Sequence, residues 1–286
     1  MKVAGFTMVR NAVKYDYPVV EAIKSVLPLC DEFIVAVGNC EDETLALIEG
    51  IGSPKIKIIH TIWDDTLREG GRTFALETDK AFQAVASDAD WAFYIQADEV
   101  IHEKYHDAVR HAMVKYKDNP SVEGLLFHYK HFYGSYDYVG ESWNWYRREI
   151  RVVRNDKSIF SYRDAQGFRK KPNEKLRVKL IDAYIYHYGW VRDPRAMVRK
   201  QRAFTSYYHD DQWLEENLAK ASEFDYSTID SLELFTDTHP AVMKERIARK
   251  NWKFDFDVSK KNYSFKERVK RFFGFRIGEY KNYKIV

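Results

Sequence analysis

Two different hydrophobic periods alternate along the first hundred residues. Short, largely apolar runs at 3–8, 33–37, 56–59 and 91–95 have the length of strands, and the unbroken 33–37 reads as one buried on both faces. Between them, apolar residues recur at helical spacing. In 18–29 they are Val19, Val20, Ile23, Val26 and Leu27, and the segments 44–51 and 72–86 behave alike, with Gly52 and Pro54 stopping the former. This alternation predicts the order βαβαβαβ and a parallel, doubly wound sheet.

After residue 101 the character changes. Residues 102–116 predict an amphipathic helix with Tyr105, Ala108, Val109, Ala112, Met113 and Tyr116 on one face. Residues 124–132, 149–153 and 179–187 read as strands between polar loops rich in Tyr, Trp, Arg and Asp. Asp193-Pro194 is a helix start, a capping carboxylate before a proline at the first helical position, and the helix is expected to run beyond Tyr207. A second start, Thr238-His239-Pro240, leads into 243–252. The expected organisation is α/β, with one catalytic-type domain over 1–212 and a basic, helical appendage over 213–286.

Composition alters this picture in a few places. A 286-residue chain with 45 % hydrophobic residues can bury one sizeable core. Its 16 % aromatic content supplies stacking surface for rings as well as core filling. The net charge of +3 argues against a nucleic-acid binder. From Lys244 onward, however, 14 Lys/Arg face 5 Asp/Glu, whereas the rest of the chain is mildly acidic, with 32 against 38. Within that tail Phe265, Val269, Phe272 and Phe273 share a helical face amid Lys266, Arg268, Lys270 and Arg271. Two readings follow for 262–286: contact with an anionic membrane surface, or packing on the main domain with its cations in water. Cys30 and Cys40 give neither a disulfide framework nor zinc spacing. No apolar run reaches the roughly 20 residues needed to span a bilayer, and 3–8 is too short for a secretion signal. A cytoplasmic protein, soluble or peripheral at the inner face of the membrane, is the expectation.

Ligands of open parallel sheets bind beyond the carboxyl ends of the strands. The loops in question are Val9-Arg10-Asn11, Gly38-Asn39-Cys40-Glu41-Asp42, Trp63-Asp64-Asp65 and Gln96-Ala97-Asp98-Glu99. The last delivers two adjacent carboxylates on an apolar strand. Adjacent strand residues point opposite ways, so Asp98 and Glu99 should do different work. One reaches a Mg²⁺ or Mn²⁺ ion, and the other braces a loop or faces the acceptor. Asp98 as a cap for the helix at His102 is the alternative.

In order and spacing these loops resemble the family 2 glycosyltransferases of GT-A fold, those that build bacterial cell-surface polysaccharide and lipopolysaccharide. Thr7-Met8-Val9-Arg10-Asn11 looks like that family's first nucleotide loop, and Cys40-Glu41-Asp42-Glu43-Thr44 is similar to its Ser-x-Asp-Gly-Thr turn. Gln96-Ala97-Asp98-Glu99 resembles its Asp-Ala-Asp-Glu signature, with Gln96 replacing the first acid. Gly71-Arg72 opens a helix where the family has an arginine-bearing one. Glu149-Ile150-Arg151-Val152-Val153-Arg154-Asn155 resembles its arginine-rich strand, and Ile185-Tyr186-His187-Tyr188-Gly189-Trp190 its late histidine segment. The family turn also carries an Asp after its second strand that reads the base; Val37 and Gly38 stand there instead.

The resemblance implies a Rossmann-type, mainly parallel sheet with a nucleotide-sugar half over 1–101 and an acceptor half over 102–212. It implies transfer of a sugar from a nucleoside diphosphate to a glycan or lipid-linked hydroxyl, inverting and dependent on Mn²⁺ or Mg²⁺. Asp98 and His187 would hold the metal, and a buried, carbonyl-bonded histidine is the other reading of His187. Arg10, Arg72 and Lys200 (with Arg199 beside it) would bind the diphosphate, with Thr7, Met8, Asn11, Asp42, Gln96 and Ala97 around the nucleotide sugar. Asp164 would be the general base, with Glu99 and Asp137 in reserve; a solvated turn residue is the plainer reading of Asp164. Trp143, Trp145 and Tyr146 would stack on acceptor sugars or pack in the core. Two other functions stay open: a non-catalytic sugar or nucleotide-sugar binder, and a sugar-1-phosphate nucleotidyltransferase, whose glycine-rich first loop is missing here.

Overall fold

The computed structural model describes residues 1–217, 222–274 and 280–286. The first half follows the predicted alternation: β1 (Val3–Val9), α1 (Val19–Val26), β2 (Glu32–Val37), α2 (Thr44–Glu49), β3 (Ile56–His60), α3 (Arg72–Gln83) and β4 (Trp91–Tyr94). These strands lie in the order β3-β2-β1-β4, all parallel. The side-chain period of two splits each strand between two cores. Phe33, Val35 and Val37 pack with Val19, Ile23, Val26 and Met113 on one face; Ile34 and Ala36 pack with Phe6, Ala81 and Phe82 on the other. Each fully buried side chain of this size contributes about 1.5–3 kcal/mol relative to exposure.

The second half comprises β5 (Glu99–Ile101), α4 (His106–Tyr116), β6 (Gly124–Tyr133), β7 (Tyr138–Gly140), β8 (Arg148–Arg154), β9 (Ile159–Tyr162), β10 (Gly167–Lys170) and β11 (Glu174–Trp190). It continues the sheet as β4-β8-β6-β11-β10-β9. Strand direction is mixed here: β8 runs antiparallel to both β4 and β6, whereas β6 and β11 are parallel. β11 is longer than its apolar pattern suggests, because its ends alternate polar with apolar residues and pair with different strands. Near its start it meets β10 and the C-terminal β13 (Tyr283–Ile285); near its end it meets β5.

The remainder contains α5 (Pro194–Thr205), α6 (Asp211–Asn217), β12 (Leu232–Leu234), α7 (Lys244–Ala248), α8 (Phe265–Phe272) and β13 (Tyr283–Ile285). Asp193 caps α5 as expected, its carboxylate accepting from the Arg195 amide at 2.9 Å. The helix stops at Thr205 rather than passing Tyr207, and the chain turns so that the Tyr207 hydroxyl accepts from Arg10. The expected helix over 243–252 likewise ends at Ala248; Trp252 instead donates its indole N–H to the Gly134 carbonyl at 2.8 Å. Helices α6–α8 follow the predicted helical character after 212, and two strands of this part add to the sheets, β12 against β7 and β13 against β11. Of the basic tail, residues 275–279 lie outside the described residues.

Candidate functional site

A cavity of about 550 Å³ opens at the carboxyl ends of β1 and β4, where sheet direction changes at β8. Arg10, Trp63, Asp98, Asp164, His187 and Lys200 all line it. They come from the ends of β1, β3 and β4, the β9–β10 turn, β11 and α5.

Asp98 sits at the floor, 8 % exposed. Strand register puts it there. His187 is paired with Glu99 across β5–β11, and the Tyr188 amide donates to the Asp98 carbonyl at 2.8 Å. One carboxylate oxygen, Oδ2, lies 3.2 Å from Lys200 Nζ and 3.8 Å from His187 Nε2. Gly189 makes the approach possible, since a Cβ there would collide with the His187 ring and the Asp98 carboxylate. Burial works against the Asp98 charge, but Lys200, with Arg192 near it, holds its carboxyl well below the usual carboxylate range. Lys200 also donates to the Gly189 carbonyl at 2.7 Å, and burial, with Arg192 nearby, brings it down to about 8.

Arg192 is fully buried. It donates to the Tyr15 and Gly189 carbonyls, and one guanidinium nitrogen has no partner among the described residues. No carboxylate lies within salt-bridge reach of it among the described ion pairs. Lys200 and Arg192 therefore give the floor around Asp98 more positive than negative charge, which suits a polyanion.

The state of His187 follows from its neighbours. His131 and His187 are register partners on β6 and β11, and their Nδ1 atoms lie 3.0 Å apart. His131 Nε2 lies 2.7 Å from the Tyr146 carbonyl, which only accepts, so Nε2 carries the proton. Burial holds both rings neutral, at about 3 for His131 and about 4 for His187. His131 Nδ1 is then an acceptor, and His187 Nδ1–H donates to it. The His187 Nε2 lone pair is left facing the Asp98 carboxylate, so two acceptors converge.

Asp164 rides on a turn held in an unusual shape. Its neighbours Arg163 and Ala165 both have left-handed backbones, at φ 57° and 63°. Three contacts hold the turn. Gln96 Nε2 donates to the Ala165 carbonyl at 3.0 Å, Arg151 to the Gln166 carbonyl at 2.8 Å, and the Tyr208 hydroxyl to Asp164 Oδ2 at 3.0 Å. Arg151 is itself locked in a bidentate pair with Glu99, both bonds at 2.7 Å and both side chains fully buried. The two adjacent acids thus divide their work as strand alternation requires: Asp98 enters the cavity, and Glu99 braces the turn through Arg151.

Part of the cavity wall is aromatic. Trp63, Phe74, Phe204 and Tyr207 pack edge to face, with Phe74 stacked on Phe204 at 5.4 Å. Arg10 crosses its end in a bidentate pair with Asp65, its side chain 5.8 Å from the Trp63 ring. Gly38 is open because Trp63 occupies its side-chain space, with a Cβ there lying 2.5 Å from the indole nitrogen. That nitrogen has no partner among the described residues.

Of the residues singled out from sequence, Met8, Arg10, Asn11, Gln96, Ala97, Asp98, Asp164, His187 and Lys200 line the cavity, as does Tyr146. Thr7 and Glu99 are buried behind it. Asp42 binds the Thr44 and Lys14 amides and fixes the loops beneath Asn11. Arg72 projects into solvent, 63 % exposed, and Asp137 accepts from Ser135 away from the cavity. Trp145 stacks on His131 and Trp143 under Arg271. Gln96 serves the Asp164 turn, a contact the sequence does not suggest. Trp63, in one of the candidate strand-end loops, lines the cavity too, whereas His131, Arg192 and Tyr207 escaped sequence reasoning. Only strand register, backbone carbonyls or the turn after α5 bring these three in.

Among the described residues, no cluster of three or more His, Cys, Asp and Glu side chains could hold a metal alone. Asp98 and His187 nevertheless form a donor pair of suitable chemistry, with the histidine lone pair already fixed by its second nitrogen. An ion there would complete its coordination with substrate oxygens and water.

No protein-family profile matches the chain, and no curated protein matches it. Among solved structures it is similar to the 1–349 portion of TarS from S. aureus, at 13 % identity and TM-score 0.40, over 72 % of this chain and 65 % of that one. It is also similar to glucosyl-3-phosphoglycerate synthase from Mycobacterium tuberculosis in complex with Mn²⁺, uridine diphosphate and phosphoglyceric acid, at 17 % identity and TM-score 0.30, over 46 % of this chain and 43 % of that one. A third is 4-diphosphocytidyl-2C-methyl-D-erythritol synthase from Anaerococcus prevotii, at 10 % identity and TM-score 0.34, over 54 % of this chain and 70 % of that one. The chain spans about two thirds or less of the length of the first two.

Proposed function

We propose that this protein is a glycosyltransferase that moves a sugar from a nucleoside diphosphate to a hydroxyl of a glycan or lipid-linked acceptor. The observation that carries this reading is the cavity floor: Asp98 and the His187 lone pair converge beside Lys200 and Arg192 at the carboxyl ends of parallel strands. That arrangement suits a diphosphate and a divalent cation together. The aromatic part of the wall offers a face for the flat base.

In this reading Asp98 and His187 hold Mn²⁺ or Mg²⁺, which would neutralise the departing diphosphate. Lys200 and Arg192 share that charge, and Arg10, pinned by Asp65, presents its guanidinium at the edge of the wall. Asp164 takes the proton from the acceptor hydroxyl as the new C–O bond forms. Only one of its oxygens is bound by Tyr208, leaving the other for the acceptor. A single base acting opposite the leaving group gives inversion. Domain limits fit the same reading, with 1–101 holding the donor, 102–212 the acceptor and 213–286 an appendage.

The test is release of nucleoside diphosphate from a panel of nucleotide sugars, offered with glycan and lipid-linked acceptors and Mn²⁺. Acceptor-dependent release by the wild type, abolished in Asp164→Asn, is expected. Binding without turnover in any acceptor mixture would leave a non-catalytic binder, and release of pyrophosphate from a sugar-1-phosphate and a nucleoside triphosphate would make it a nucleotidyltransferase.

A further inference from the structure

Helix α8 is amphipathic, but its polar side is the buried one. Ser264 caps it, its hydroxyl accepting from the Glu267 amide at 3.2 Å. Glu267 is 3 % exposed and accepts from the Trp143 amide at 2.9 Å and from Arg271 at 3.0 Å. Arg271 reaches on to the Glu141 carboxylate and carbonyl, at 3.0 and 3.1 Å, with its guanidinium 4.0 Å from the Tyr263 ring centre. Lys261 and the Tyr263 hydroxyl complete the cluster around Glu141, whose carboxyl, despite partial burial, is held down at about 2. A charged clamp thus fixes one side of the helix to the body.

The opposite side carries the apolar residues outward. Phe265 is 83 % exposed, Phe272 85 % and Phe273 56 %, with Val269 at 39 %. Their spacing of four, three and one residues makes a single stripe. A helix serving only the fold of a soluble domain turns such a stripe inward.

We propose that this stripe docks on the surface of an anionic lipid bilayer. Charge selects that occupant. The chain from Lys244 to its end carries 14 basic against 5 acidic residues, and Arg268, within the helix, is exposed. Basic residues beside an apolar helical face are attracted by anionic headgroups while the rings enter the acyl boundary. A second copy of the chain would bring like charge against like. Among the described residues no helix is long and apolar enough to cross a membrane, so α8 lies on the surface. The clamp also ties docking to the cavity. Trp143, bound by Glu267, is three residues from Tyr146, which lines the site and accepts from His131. The bilayer is thereby attached to the acceptor side of the cavity, where a lipid-linked acceptor would enter if the transferase reading holds; docking itself does not depend on that reading.

The experiment is co-sedimentation of the full chain with phosphatidylcholine vesicles, with and without phosphatidylglycerol. Wild type is expected to sediment with the anionic vesicles and to be released by raised salt. Phe265→Ser with Phe272→Ser should weaken that binding by about tenfold or more, and Arg268→Glu should weaken it less. Nucleoside diphosphate titration of the same variants reads the donor site separately, and it should not change. Equal sedimentation of wild type and double variant, or none by the wild type, would overturn the proposal. So would a wild-type dimer that the double substitution turns monomeric without any vesicle binding, since the stripe would then belong to a second copy.

Discussion

The Nδ1 atoms of His131 and His187 lie 3.0 Å apart across the parallel β6–β11 pair, and this contact decides which face His187 turns to the cavity. Because the Tyr146 carbonyl claims the His131 Nε2 proton, His187 must donate from Nδ1 and keep its Nε2 lone pair free. His131 is therefore a positioning residue. His131→Phe should lower Mn²⁺ affinity about 10–100-fold, whereas His131→Gln, which retains an acceptor, should restore much of it. Paramagnetic titration of Mn²⁺ reads this without turnover; equal affinity in all three proteins would contradict the relay.

Gln96 and Asp164 are joined through a backbone. By holding the Ala165 carbonyl, Gln96 maintains a turn in which both neighbours of Asp164 have left-handed φ. Asp164→Asn should reduce turnover about 10²–10⁴-fold with nucleotide affinity unchanged, as loss of a general base does. Gln96→Ala should fall between wild type and that variant, again in kcat rather than in binding. A change confined to nucleotide affinity would return Gln96 to the nucleotide-sugar contact that the resemblance implies.

Glu99 and Arg151 form a fully buried ion pair beneath the same turn. Removing one partner leaves a buried charge uncompensated, so Glu99→Ala should cost about 3–5 kcal/mol in urea unfolding. A loss near zero would mean that water reaches Arg151 and that the turn does not depend on it.

Glu149 gives a pH signature. Burial raises its carboxyl to about 8, against an ordinary value near 4.5, although Arg151 pulls the other way. The folded state thus retains a proton that the unfolded chain gives up, and stability falls as pH rises from about 4.5 to about 8. Glu149→Gln removes that part of the slope. Its Tm advantage over wild type should be small at pH 5 and grow towards pH 9, measured by thermal unfolding across that range. A constant difference at every pH would show Glu149 ionised in the fold.

The parallel half of the sheet was legible because its strands are short, largely apolar runs between helical repeats. Asp98 could be singled out from its place after a strand, His187 from the late histidine segment it resembles and Lys200 from the helix that follows, and all three line one cavity. Other features depend on register or on distant partners. His131 matters only because Val178, Tyr184 and their neighbours set β11 against β6 so that His187 falls opposite it. Gln96 finds its partner 69 residues away, on a turn no local pattern announces. Arg192 carries no local mark in the sequence, and only the carbonyls of Tyr15 and Gly189, the first 177 residues away, draw it inside. Arg72 shows the reverse, a motif arginine that the fold leaves in solvent.

The central claim, a nucleoside diphosphate site at Asp98, is tested most directly by calorimetric titration of a nucleoside diphosphate panel, with and without Mn²⁺, against wild type and Asp98→Ala. The account predicts that at least one nucleotide binds the wild type, more tightly with Mn²⁺, and that the gain from metal disappears in the variant. Absence of binding under every condition, or the same metal-enhanced binding in Asp98→Ala, would contradict it.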